Sequence, residues 1–281
     1  MFKLEAQGLE LNTAIESIDR VRIHEEIVPE LLEELVREIR ANGMARDPVI
    51  VDSNTRVVLD GMHRVAALQE LGCRYLPVCL VDYRSPKVRV GCWYRVIREG
   101  TGKFLDIFKL LGLGAQPSPL EGALQSLEER KATAALLTAS ACLLLKAPKT
   151  EIGESYAWVK RLERTFREEG FSVGYEREPD AEQQVRSGEA SAALLVPRVR
   201  KEEVLEAARS GNVFAHKTTR HVLPARPMNV GVPLEWLAGG RSLDEVNRWL
   251  VESLSKRKLE RLPKGSLFEG RRHDEELLVF R

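Results

Sequence analysis

The sequence predicts an α/β (α+β) protein in two parts, an α/β unit over residues 1–95 and a second α/β domain over residues 96–281 with a C-terminal helical extension. Three observations carry this. The chain has 281 residues, long enough for two domains, and is 43% hydrophobic and 30% charged, the balance of a folded globular protein. Short runs rich in Val and Ile alternate with stretches of helical apolar spacing. One junction joins both patterns: the apolar run Val57-Val58-Leu59 passes through Asp60-Gly61-Met62-His63-Arg64 into a helical pattern from Val65 to Gly72.

Pro29 opens a helix in which Leu31, Leu32, Leu35, Val36 and Ile39 recur at helical spacing, and Asn42-Gly43 ends it. Pro48 to Val51 reads as a strand, Asp52-Ser53-Asn54 as a turn, and Arg56 to Leu59 as the returning strand. Leu76 to Asp82 is a buried strand, and Lys87 to Tyr94 is strand-like. Residues 103 to 131 look helical, broken at Gly112-Leu113-Gly114 and Pro117-Ser118-Pro119. Thr133 to Lys146, rich in Ala and Leu, suits one buried helix or two short strands. Ser155 to Glu169 is an amphipathic helix and Phe171 to Tyr175 an edge strand. A polar helix follows from Asp180, its N-cap, to Ser187, then a strand from Ala190 to Val196 and a helix from Lys201 to Ser210. Ser242 caps a long helix running to Leu262, and Leu277 to Phe280 closes the chain as a strand.

Forty-three basic and 42 acidic residues leave a formal charge of +1, which argues against whole-protein attraction to nucleic acid. No apolar run reaches membrane-spanning length, and the N-terminus lacks a signal-peptide stretch, so the expected compartment is the cytoplasm. Cys73, Cys79, Cys92 and Cys142 form no CxxC pair and no zinc spacing, and are expected to be reduced, buried thiols.

Three polar clusters stand out. In Asp60-Gly61-Met62-His63-Arg64 a helix N-terminus offers unpaired N–H groups to phosphate, and Gly61 permits close backbone approach. His63 and Arg64 add donors there, and Asp60 could hold a magnesium ion beside the phosphate. A capped helix with a solvated turn accounts for the same residues equally well. His24-Glu25-Glu26 offers a carboxylate suited to general-base work, or ordinary acidity ahead of a helix. His216-Lys217-Thr218-Thr219-Arg220-His221 gathers two imidazoles, two cations and two hydroxyls, a set suited to an anion or to a solvated basic loop. Trp93-Tyr94 reads as core packing.

Asp60 to Arg64, the apolar helix after it, Gly72 and Pro77-Val78 together resemble the ParB/sulfiredoxin-like nucleotide-binding fold. Within that fold the chain is most similar to the free L-serine kinases, which include an archaeal ADP-dependent enzyme of cysteine biosynthesis and a bacterial relative serving siderophore synthesis. His24-Glu25 looks like the family's His-Glu pair, Gly170 to Val196 like its helix–strand–helix–strand passage, and Lys201 to Pro224, including Lys217 to Pro224, like the pattern of the archaeal enzyme. Met62 stands where that pattern has a second histidine, and the extension after residue 237 looks more like the siderophore-associated relative.

The resemblance implies transfer of a phosphoryl group from ATP or ADP, with Mg2+, to the hydroxyl of L-serine, in a cleft between the two domains. It implies Glu25 as the base and Asp60 as a metal ligand or orienting group. Nucleotide and phosphate contacts fall to Gly61, Met62, His63, Arg64, Thr218, Thr219, Arg220 and His221. Serine contacts fall to His24, Trp93, Lys217, Thr218 and His221. A ParB-like nucleotide-binding regulator or DNA-associated switch without kinase activity is the alternative. A sulfiredoxin-type reductase is disfavoured because Met62 replaces the cysteine that such chemistry requires.

Overall fold

Residues 1–99 and 104–281 are described by a computed structural model, in which the chain divides into two compact units. One comprises Met1–Arg89, Lys201–His216 and His221–Arg281, and the other Val90–Arg200 and Lys217–Arg220. The expected division at residues 95 and 96 is corrected accordingly: the chain returns to the first unit at Lys201 and leaves it again for four residues. Sequence periodicity cannot anticipate such returns, because they depend on long-range packing.

The first unit is built on a five-stranded sheet in the order Phe2–Ala6, Leu9–Ser17, Tyr75–Val81, Val49–Asp52, Val58–Asp60. Only the Val49–Asp52 and Tyr75–Val81 pair is parallel. The N-terminal hairpin was not read from the sequence, although Leu9, Leu11, Thr13 and Ile15 alternate and are buried. The helices Pro29–Asn42 and Met62–Glu70 pack against each other. Gly43 ends the first in the left-handed region at φ 65°.

The C-terminal extension is integral to this unit. The strand Phe2–Ala6 covers its neighbour only as far as the Phe2–Thr13 pair, so the edge beyond Thr13 needs another partner. Asn247, on the helix Leu243–Ser255, accepts from the Ile15 N–H at 2.9 Å and donates to the Ile15 carbonyl at 3.0 Å. Ser242 caps that helix, as expected, and the structure adds a capping box with Glu245. The helix ends at Ser255 rather than Leu262: Arg257 donates to the carbonyls of Asn229, Val230 and Phe280, and Leu259–Leu262 becomes a strand. It pairs with Glu276–Phe280, which in turn lies parallel to Ala225–Met228.

The second unit carries a six-stranded antiparallel sheet in the order Ser172–Glu176, Tyr94–Arg98, Ala192–Leu195, Ala134–Thr138, Cys142–Lys146, Gly114–Pro117. The Ala- and Leu-rich stretch is thus two strands, and Ser172–Glu176 is an edge strand. The helical run expected from 103 to 131 resolves into the helices Phe104–Leu110 and Leu120–Glu128 around the strand Gly114–Pro117; Lys103 lies outside the described residues. Asp180 is not an N-cap. The helix begins at Glu178 with Arg177 in the cap position and Pro179 in the first turn, and Asp180 pairs with Arg177. Arg95, fully buried on the strand Tyr94–Arg98, is held by Glu163 at 2.5 Å and by the Trp93 carbonyl at 2.6 Å, near the rings of Tyr156 and Tyr175.

Candidate active site

In the first unit, the strand Val58–Asp60 ends at Gly61, whose φ of 96° is ill suited to any residue with a side chain, and the helix Met62–Glu70 begins at the next position. A Cβ on Gly61 would meet the Arg64 guanidinium at 2.6–2.9 Å. Arg64 lies over the turn because it donates from Nη2 to Asp60 Oδ2 at 3.0 Å, one helical turn back. Met62 occupies the first helical position.

His63 does not present both ring nitrogens to a ligand. Its Nε2 accepts from the Val28 N–H at 3.0 Å, at the N-cap of the helix Pro29–Asn42, and its ring meets that of His216 edge-on at 5.2 Å. An accepting Nε2 requires a ring that carries its proton on Nδ1, so any donation to phosphate runs through Nδ1.

Glu25 is buried, and its strand segment is fixed on both sides. Phe214 N–H donates to the His24 carbonyl and Glu26 N–H to the Phe214 carbonyl, both at 2.8 Å, making Glu25 and Phe214 bridge partners. On the other side, Val58 N–H donates to the Arg22 carbonyl at 2.9 Å. His24 is fully buried and donates from Nδ1 to the Val58 carbonyl at 2.7 Å. Its ring packs edge-on against His221 at 5.4 Å, and His221 Nε2 lies 2.8 Å from the Tyr83 hydroxyl. Burial lowers the His24 pKa to about 4; burial and the neighbouring His24 lower that of His221 to about 3. Burial also raises the Tyr83 pKa, so the phenol that shares a hydrogen bond with His221 Nε2 keeps its proton. Both imidazoles are therefore neutral at pH 7. His221, expected to contact phosphate and serine, is buried, with its Nε2 occupied by the Tyr83 hydroxyl.

Arg226 was missed in the sequence. On the strand Ala225–Met228 it places Nη1 2.5 Å from Asp60 Oδ2 and Nε 2.6 Å from Glu275 Oε1. Asp60, Arg64, Arg226, His273 and Glu275 line a cavity of about 190 Å³ within this unit. A lone arginine between Pro224 and Pro227 has no motif around it, so no local signal could have found it.

In the second unit, Trp93 donates from Nε1 to the Thr219 carbonyl at 3.1 Å, with the Lys217 ammonium 4.8 Å and the Arg220 guanidinium carbon 5.9 Å from its ring centre. Arg220 donates to Glu178 at 3.1 Å, and Arg198 reaches the other Glu178 oxygen at 3.2 Å. Burial pushes the Glu178 carboxyl upward, but its own backbone N–H and the two arginines outweigh this and hold it below its ordinary value. The Tyr156 hydroxyl lies 3.0 Å from the Pro197 carbonyl and 3.2 Å from that of Thr218. Thr218 and Thr219 are buried, and Lys217 takes a left-handed φ of 61°. Residues 217–220 are thus a tightly held segment. Trp93 serves in it as a platform for cations as well as a packing residue.

Among the described residues no three His, Cys, Asp or Glu side chains cluster to hold a metal ion. All four cysteines are buried and free, and burial raises Cys79 and Cys92 to about 12, far from thiolate chemistry. No helix among the described residues is long and apolar enough to cross a membrane.

No protein-family model matches the chain. The chain is 30% identical over 227 residues to the ATP-dependent L-serine kinase of Staphylothermus marinus, covering 78% of this chain and 89% of that protein. It is 27% identical over 229 residues to the ADP-dependent L-serine kinase of Thermococcus kodakarensis, covering 78% and 90%. A solved free serine kinase in complex with AMP superposes with a TM-score of 0.68 at 27% identity, over 81% of this chain and 94% of that one.

Proposed function

The chain belongs to the ATP- and ADP-dependent L-serine kinase family, and from that premise we propose that it phosphorylates free L-serine to O-phospho-L-serine with ATP or ADP as donor. The observation that carries this is the 30% identity spanning 89% of an L-serine kinase.

The nucleotide's terminal phosphates are assigned to the amides at the start of the helix Met62–Glu70, with Arg64 and the His63 Nδ1 edge as side-chain donors. Met62 replaces a second imidazole of the archaeal pattern, so the backbone at that position takes over its contact. Glu25 removes the serine hydroxyl proton as the new phosphorus–oxygen bond forms. The neutral His24–His221 stack supports this role by immobilising the segment that carries Glu25. On the resemblance, Lys217, Thr218 and Arg220 bind serine's carboxylate and the moving phosphoryl group, with Thr219 and Trp93 holding that segment in shape. Such catalysis is positioning plus electrostatics.

Magnesium is tested by Asp60. It is a single carboxylate with both guanidiniums on Oδ2, and no metal-binding cluster exists among the described residues. The residues fit an ion carried in on the nucleotide phosphates, with Asp60 as its one protein carboxylate, and not a resident centre. When bound, the ion would offset negative charge on the phosphate oxygens. Use of nucleotide and free serine fits a cytoplasmic protein, and the product suits cysteine or siderophore synthesis, the two uses the resemblance implies.

The test is incubation of purified protein with serine, magnesium and either ATP or ADP, with phosphoserine measured directly. Phosphoserine formed with at least one donor is the expected result; none with either defeats the proposal. DNA binding that weakens steeply with salt, in the absence of turnover, would favour the regulator instead.

A further inference from the structure

Both guanidiniums near the Asp60 turn converge on one carboxylate oxygen, and one of them is itself held by a second carboxylate. Arg64 Nη2 and Arg226 Nη1 lie 3.0 and 2.5 Å from Asp60 Oδ2, and Arg226 Nε lies 2.6 Å from Glu275 Oε1. The Arg226 side chain is 17% exposed and that of Glu275 16%, so solvent screens this pair little. The arrangement follows from strand register. Ala225–Met228 and Glu276–Phe280 run parallel with Arg226 opposite Leu277, which brings Glu275, just before the strand, beside Arg226. Two cations and two anions close a neutral cluster in which Arg226 is hydrogen-bonded to Asp60 through Nη1 and ion-paired with Glu275 on its Nε side.

We propose that Arg226 is a positioning residue that aims the Asp60 carboxylate, and that Glu275 acts through Arg226, making the C-terminal strand part of the phosphate end of the site. This rests on the reading of Asp60 as a site residue. A guanidinium pinned by Glu275 holds Asp60 Oδ2 at one point, so the carboxylate keeps one orientation as charge moves on the phosphoryl group. Loss of Glu275 leaves Arg226 free to swing, and loss of Arg226 leaves Glu275 with nothing to act on.

The experiment compares the full-length wild type, R226Q, R226K, E275Q and the R226Q/E275Q pair. It measures kcat, KM for serine, ADP affinity and stoichiometry by calorimetry, and thermal midpoint. R226Q should lower kcat at least tenfold with serine KM and ADP affinity within about threefold, and E275Q should lower kcat several-fold. The double variant should match R226Q, because residues acting in series are not additive. R226K keeps the charge but not the planar fork, and should stay near R226Q in kcat while folding as the wild type does. If R226Q does not fold, R226K and E275Q decide. Wild-type kcat in E275Q and R226K overturns the proposal. So does a loss that merely tracks ADP stoichiometry, or an E275Q loss that multiplies fully onto R226Q. D60N separates the two readings. An inactive D60N beside fully active R226K and E275Q sinks the positioning role and leaves Asp60 in the site, whereas a fully active D60N removes Asp60 and its positioning together.

Discussion

The Tyr83 hydroxyl and His221 Nε2 meet at 2.8 Å where both residues are nearly inaccessible to water, and His221 stacks edge-on with His24. Two neutral imidazoles and a phenol thus pack together, with His24 adjacent to Glu25 in the chain. The arrangement makes stability sensitive to acid.

The unfolded imidazoles take a proton near pH 6.5, but the folded ones only near 4 for His24 and 3 for His221. Between these values the unfolded chain binds protons that the native chain does not. The stabilisation is complete above about pH 6.5 and declines as pH falls toward 4, by about 1.4 kcal/mol per pH unit for each histidine. Urea midpoints at pH 7, 6 and 5 should show this slope, and His221→Asn should make it shallower. An unchanged slope in that variant would mean that His221 is not buried in its neutral form.

Glu25→Gln keeps the size and backbone bridge to Phe214 but cannot accept a proton. Turnover should fall by about 10²–10⁴ while ADP affinity stays within a few-fold. Full activity in this variant would remove Glu25 from its role as base.

Gly61→Ala places a methyl group on a backbone at φ 96° and within 3 Å of the Arg64 guanidinium. The strained conformation costs about 1–3 kcal/mol, and the Arg64–Asp60 pair must shift. A lower thermal midpoint together with weaker ADP binding is the expected outcome; weaker stability with unchanged ADP affinity would dissociate this turn from the phosphates.

Glu163→Ala strands the fully buried Arg95 charge in the second unit. Breaking such a pair costs about 3–5 kcal/mol. The loss should appear as a lower denaturant midpoint; a change under about 1 kcal/mol would show that water reaches Arg95.

Legibility in the sequence followed distance along the chain. The Pro29 helix, the Asp60 turn, the helix Lys201–Ser210 and the Ser242 cap are specified by residues close together in the chain, and each was readable. The N-terminal hairpin escaped despite its alternation, and the helix after Ser242 was read past its true end because Leu259 and Leu262 suit a helix or a strand equally. At the site, the sequence named Asp60, His63 and His221 but not what each would contact.

By itself the sequence determined the α/β class, the strand–turn–helix at Gly61 and the family. Tertiary structure alone decided that His221 is neutral, that His63 Nε2 accepts from Val28, and that Asp60 meets an arginine 166 residues away. The reason is physical. A turn or a cap is selected by local backbone geometry and written in neighbouring residues. Burial and long-range ion pairs are set by strand register and packing, as where Arg226 is aligned by its parallel partner strand, and no local pattern encodes that alignment.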